Sequence, residues 1–303
     1  MTMRLIFLAC VLVTQSAIAQ DEWSALTGAY LGQQPPGKIP KVFAAGLISL
    51  DGERELNSVF SPDGRIFMFS RTIDGTFKMF YSYRQEDGTW QEPRIAAPSK
   101  TYPNHHDVDM AFSPKGDWVY FISDRPLPGY SLERYNIWRS RVTRLGLLTP
   151  EPLGAHINGA DHELYPTLVA DGSLYFSATR DDSVGGRDSY RSQYIDGEFA
   201  NPVNLGDGVN STADEGDIYV DPDETYLIHV SAERSDSLGR GDLYVSFRQA
   251  DGSWGQDIHM GDVVNSVDID YCPFVTPDGK YFFFTRGDDI MWMDAAVIET
   301  FRN

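Results

Sequence analysis

Apolar and polar residues alternate along this chain in bursts of five to seven, and the bursts repeat. Ile66–Ser70 reads IFMFS, Trp118–Ser123 WVYFIS, Leu174–Ala178 LYFSA, Tyr226–Ala232 YLIHVSA and Tyr281–Thr285 YFFFT. Runs of that length, rich in aromatic and β-branched residues, predict strands. A turn string precedes each one: FSPDG at Phe60, FSPKG at Phe112, LVADG at Leu168, VDPDE at Val220 and VTPDG at Val275, spaced by 52, 56, 52 and 55 residues. Proline fixes φ there, and Asp and Gly suit the tight reversal. Each run leads to an arginine: Arg71, Arg125, Arg180, Arg234 and Arg286. After a Gly/Asp-rich loop comes a third aromatic segment, KMFYSY, NIWRS, DSYRS, DLYVS or DIMWM. Three units then carry Asp87-Gly88, Asp196-Gly197 or Asp251-Gly252, followed by Trp90, Phe199 or Trp254. Asp-Gly between alternating segments predicts a hairpin with both central residues at positive φ. A fourth segment ends in LG-x-x-(I/V)-N at Leu153–Asn158 and Leu205–Asn210, with MGDVVN at Met260–Asn265.

Four short hairpin-linked strands at a period near 54 residues describe one blade of a β-propeller. A solenoid is the rival, but its repeats run shorter and need capping units. The expected fold is therefore all-β, a five-bladed β-propeller of four-stranded antiparallel blades; a six-bladed ring would need a further unit that the sequence does not contain. The fifth unit has only three strands, and Lys41–Ser49 resembles an orphan fourth one that would complete the last blade and close the ring. The expected organisation is a signal peptide over 1–19, an N-terminal extension over 20–40, the propeller over 41–293 and a tail with a short helix over 294–303.

The signal peptide is read from Arg4, the apolar Leu5–Val13 and the small-x-small Ala17-Ile18-Ala19, a run too short to span a bilayer. Removing residues 1–19 takes away one arginine and no acid, leaving 24 basic against 44 acidic side chains and a net charge of about −20. That balance disfavours nucleic acid and anionic membrane surfaces as partners. Cys272 alone remains of the two cysteines, so no internal disulfide forms. The expectation is an exported, periplasmic or secreted soluble monomer without membrane insertion.

FSPDG-x5-FSR, FSPKG-x6-ISDR and VTPDGKYFFFTR, with GDLYVS, resemble the WD40-like PD40 repeats of the propeller in TolB-type exported proteins, over roughly residues 41–293. The resemblance implies fold more than activity. Such propellers serve as protein-binding platforms, carbohydrate-handling domains and peptidase lids. LVADG lacks the proline, VDPDE lacks the glycine, and five units are one short of the usual TolB-type ring.

Five residues before each turn string stands an acid: Glu55, Asp107, Glu163, Glu215 and Asp270. They are read either as a carboxylate ring at one channel mouth or as partners of the five repeated arginines, one pair per blade junction. Function in a repeat protein is better sought where the blades differ. His105-His106-Asp107 and Asp161-His162-Glu163 occupy equivalent places in adjacent units. A divalent metal at His105, His106 and His162, or a general base among them, is one reading; surface-loop histidines are the other. Tyr102, Tyr165 and Tyr271 suit sugar stacking or inter-blade packing, and His229 is expected to be packed. Asp188 and Asp242 are expected to cap the loops before the third strands. A nucleophile elbow, HExxH, P-loop and CxxC are all missing from the sequence. The binding set expected is Tyr102, His105, His106, Asp107, Asp161, His162, Glu163, Tyr165, Glu215 and Asp270, in a non-catalytic propeller that takes a protein or glycan and needs no cofactor. The alternative is a polysaccharide lyase or hydrolase built on the His/carboxylate cluster.

Overall fold

The computed structural model describes residue 23 and residues 25–127, 134–144, 146–159 and 162–302. The expected signal peptide therefore lies outside the described residues. Five antiparallel sheets form a five-bladed propeller. The innermost strands are Glu55–Phe60, Asp107–Phe112, Glu163–Leu168, Asp214–Val220 and Asp270–Val275, and each pairs with the aromatic run that follows its turn string.

Blades built from twisted, two-faced sheets must cover one another, and they do so in five separate cores. Blades 1 and 2 enclose Met68, Met79, Phe121 and Trp138; blades 2 and 3 enclose Ile122, Ile137 and Phe176. Val169, Tyr175 and Leu227 pack between blades 3 and 4, and Ile228, Val245, Phe282 and Met293 between 4 and 5. Between blades 5 and 1 lie Phe43, Phe60, Phe67, Phe283 and Trp292. A core at every junction, including the one that joins the last blade to the first, is the packing of a closed ring.

The closure is the expected one. Lys41 pairs with Trp292 and Val42 with Met291, and Phe43 N–H adds a bond to Ile290 O at 2.8 Å. The strand is shorter than Lys41–Ser49, because Ala44 and Gly46 take positive φ and turn the chain away. In the C-terminal tail Ala296–Glu299 is a short helix that buries Val297 and Ile298 against blades 4 and 5.

The repeated residues solve the same local problem in each blade. Asn158, Asn210 and Asn265 each accept from a third-strand N–H (Ile137, Ser189, Leu243; 2.7–2.9 Å) and donate back to the same residue's carbonyl (2.9–3.1 Å), standing in for a strand neighbour. Ser99 and Ser49 accept from the corresponding N–H groups of Met79 and Ile290. Asp188 and Asp242 cap their loops through Val184 and Gly185, and Leu238 and Gly239. In the glycine-less string VDPDE, Glu224 itself takes the left-handed φ of 55°. The Asp-Gly expectation holds fully only at Asp196-Gly197. At the other two pairs only the glycine has positive φ, and the aspartate instead accepts from the N–H and hydroxyl of Thr89 or Ser253.

Candidate functional site

The five acids sit at the entrance of the innermost strands, fully buried. Arg71 bonds Glu55 at 2.5 Å, Arg286 bonds Asp270 at 2.7 Å, Arg125 bonds Asp107, and Arg180 lies 3.8 Å from Glu163. Each pair is within a blade and not across a junction: Glu55 is directly opposite Arg71, and Asp270 opposite Arg286. The arginines then reach outward to carbonyls of the incoming segment, Ile48, Ile157 and Val264. Blade 4 departs from the pattern. There Arg234 turns to Asp257 at 2.5 Å, and Glu215 is held by the hydroxyls of Ser211 and Ser231. Asp107, Glu163, Glu215 and Asp270 are therefore internal ties, not a carboxylate ring open to solvent. Burial raises Glu55 and Asp270 above the usual carboxylate range, against the pull of their arginines.

In blades 2, 3 and 4 the residue before the acid carries a second tie, this one between blades. His106 Nδ1 accepts from Phe77 N–H at 3.2 Å, His162 Nδ1 from Tyr135 N–H at 3.1 Å, and Asp214 Oδ1 from Arg187 N–H at 2.8 Å. The same joints are closed in the other direction by Glu163 N–H to Tyr135 O and Glu215 N–H to Arg187 O, both 3.0 Å. Two histidines and an aspartate thus do one job, and the accepting Nδ1 puts the imidazole proton on Nε2. His105 points elsewhere, 3.3 Å from Asp124. The Tyr135 ring stands between His106 and His162, with centroids at 6.1 and 5.9 Å. Among the described residues no three His, Cys, Asp or Glu side chains gather as metal ligands. Asp161 lies outside the described residues. Tyr102 is an exposed ring 4.3 Å from the Arg125 guanidinium. His229 is fully buried and bonds Asp257 at 3.1 Å.

Two residues further in, every innermost strand breaks register in a β-bulge. The residue there has positive φ in all five blades: Asn57, Asp109, Tyr165, Asp217 and Cys272. Five side chains of four kinds, with aspartate on both blades 2 and 4, are thereby placed on the inner wall of the ring. Tyr165 crosses the channel to donate to Pro273 O at 2.8 Å. Asp217 accepts from Cys272 N–H at 3.1 Å. Asp109 is 8% exposed and has no hydrogen-bond or ion-pair partner among the described residues. Burial, then the charge of Asp217, pushes its carboxyl well above the ordinary range; burial raises Asp217 too, against the pull of Arg187. Of the bulge residues, Tyr165 is among those expected from sequence, and Asn57, Asp109 and Asp217 are not. Their one signal is that the place two residues beyond a repeated acid is not kept constant, reading Asn, Asp, Tyr, Asp and Cys along the chain.

Past Tyr165 the channel widens into a recess of about 340 Å³ at the turn-string mouth. Its rim is Pro62, Pro114, Ala170, Pro222 and Pro277, one residue per blade, and its walls include Phe112, Tyr219 and Phe274. The two mouths differ in kind: one bears His106, His162 and Asp214 in inter-blade ties and Arg54 in an exposed ion pair with Asp288, the other is an apolar recess.

No protein-family model and no curated protein matches the chain. Solved structures do resemble it in fold. A putative TolB from Agrobacterium tumefaciens is 17% identical at a TM-score of 0.50, over 78% of this chain and 71% of that one. A nidogen/laminin complex gives 12% identity and a TM-score of 0.50 over 80% and 77% of the two chains. The catalytic domain of an α-L-arabinofuranosidase from Coprinopsis cinerea gives 12% and 0.50 over 85% and 97%. The chain spans about half (54%) of the length of the TolB from Acinetobacter baumannii. Binding proteins and enzymes stand side by side among these folds, so the fold alone names no activity.

Proposed function

We propose that this protein is an exported, non-catalytic propeller that binds a protein partner at the turn-string mouth of its channel. The observation that carries the reading is the apolar recess of about 340 Å³ with its four-proline rim. Proline has no N–H and a fixed φ, so the rim is stiff and offers carbonyls and apolar rings, a surface suited to an apolar side chain from another protein. The opposite mouth supports catalysis less well, since the histidine Nδ1 atoms accept from main-chain N–H groups and Tyr135 separates the rings. The TolB and nidogen/laminin structures fit a protein-binding use. Export rests on the leader read in residues 1–19.

A photo-reactive amino acid placed at Ala170, on the recess rim, is expected to cross-link a discrete protein in the source cell, and Ala170→Trp, which fills the recess, is expected to abolish capture. Adducts formed from Arg54 at the other mouth but not from Ala170 would overturn the reading. The glycan alternative is checked with a panel of neutral and acidic oligosaccharides, with no saturable binding expected.

A further inference from the structure

In a chain with 44 acidic and 25 basic residues, cations without an ion pair among the described residues are notable, and four of them line one outer groove. Between blades 1 and 2 lies a notch of about 320 Å³, walled by Met68, Tyr81, Phe112 and Leu147, with Arg94 and Arg144 at its edge and no acid among its lining residues. It opens into a wider groove of about 880 Å³, where Arg65 and Lys115 join. Among the described residues none of these four has an ion pair. Elsewhere Arg71, Arg125, Arg187, Arg191 and Arg286 are all tied to carboxylates. The wider groove does carry Asp63, Glu86 and Asp87. Two of these are engaged locally, Asp63 by Ser61 and the Arg65 N–H, Asp87 by Thr89.

We propose that this groove binds an acidic segment of a protein partner, with one apolar side chain in the notch and flanking carboxylates on Arg94 and Arg144. Charge complementarity selects the ligand's sign, because unpaired guanidinium groups beside apolar walls favour carboxylate over neutral groups. The walls mix aliphatic, thioether and aromatic groups, which suits an apolar side chain, and the Tyr83 face is already covered by Arg65 at 5.3 Å and closed to a stacking sugar ring. Pro62 and Phe112 line both this groove and the axial recess. A chain held at the channel mouth has a continuous path outward between blades 1 and 2, so the inference rests on the protein-binding reading and adds the partner's charge and direction.

The test uses a fluorescein-labelled Asp-Glu-Phe-Asp-Glu peptide, its Asn-Gln-Phe-Asn-Gln counterpart and the whole protein, read by fluorescence anisotropy. The acidic peptide is expected to bind saturably, weaken with salt, and lose at least tenfold in affinity in Arg94→Glu/Arg144→Glu; the neutral peptide is expected to bind at least tenfold more weakly. Both arginines are exposed, so the double variant is expected to keep the parent Tm. Saturable binding untouched by that variant, no binding at all, tighter binding of an oligogalacturonate, or self-association that vanishes in the variant would each overturn the proposal. Ala170→Trp separates the two sites. If it abolishes partner capture while the double variant leaves both capture and peptide binding intact, the groove fails and the channel-mouth reading stands.

Discussion

Asp109 is the residue whose environment and chemistry agree least. A buried carboxylate with no hydrogen-bond or ion-pair partner among the described residues, facing a second one on blade 4, costs stability whenever it is ionised. Its raised pKa means that the folded protein holds the proton more tightly than the unfolded chain does. The stabilisation from that proton is complete at low pH and lost as pH rises through the folded-state value, beginning above the ordinary carboxylate range near 4. Asp109→Asn is therefore expected to raise Tm at pH 8 by an amount equivalent to roughly 1–3 kcal/mol, with the gain shrinking towards pH 4; calorimetry across that range checks the sign. A gain independent of pH would show that Asp109 is not the source. Asp257 runs the other way. Burial raises it, but His229 and Arg234 outweigh that and hold it down to about 2. Its contribution is present above pH 4 and fades as pH falls towards 2, so Asp257→Asn is expected to destabilise at pH 7 and to match the parent near pH 2. Neither environment is legible in sequence. The Asp109 carboxylate meets Asp217 from 108 residues away, and no local pattern announces a shared axis.

At the scale of the element, the repeat was nearly transparent. Turn strings, aromatic runs and terminal asparagines recur because each blade must supply the same hydrogen bonds at the same places, so the period predicts the sheets and their connections. Asn158 shows why: its side chain bonds both N–H and C=O of Ile137 inside the blade 2–3 packing. Asn158→Ala is expected to lower stability by about 1–3 kcal/mol, because the buried Ile137 N–H loses its acceptor while the Ile137 carbonyl keeps only the Leu153 N–H; a shifted urea midpoint with an unchanged m-value reports it. Where the sequence misled was in assigning one cause to one pattern. The acids and arginines are paired as expected, but within blades, and blade 4 exchanges Glu215 for Asp257 as the arginine's partner. The histidine motif looked like chemistry and lies in the same inter-blade joint that Asp214 closes on blade 4. His162→Asp is accordingly expected to preserve the fold, shown by an unchanged far-UV spectrum and cooperative melting, since an aspartate already does this work one blade further on.

The whole molecule depends on one junction unlike the other four. Four neighbouring blade pairs are joined by continuous chain, but blades 5 and 1 meet through a strand contributed from before blade 1, and that strand has only two ladder residues. So short a pairing is weak by itself; the aromatic packing behind it supplies the strength. Phe43 is fully buried, with ring centroids 5.0 Å from Phe283, 5.1 Å from Trp292 and 5.4 Å from Phe67, so one side chain touches both blades. Phe43→Ala is expected to cost about 3–5 kcal/mol, the range for a buried phenylalanine in a core that relaxes incompletely. The pattern of the loss is more informative than its size. If the ring is held shut here, hydrogen exchange should accelerate first in Asp289–Asp294 and Glu55–Phe60, on the two sides of the seam, while Leu174–Ala178 on the far side stays protected. A control of similar burial and volume, Phe176→Ala in the blade 2–3 core, is expected to lower Tm comparably without opening the seam. Uniform acceleration in both variants would mean that the five junctions share the load evenly and that the borrowed strand is not the place where the ring opens.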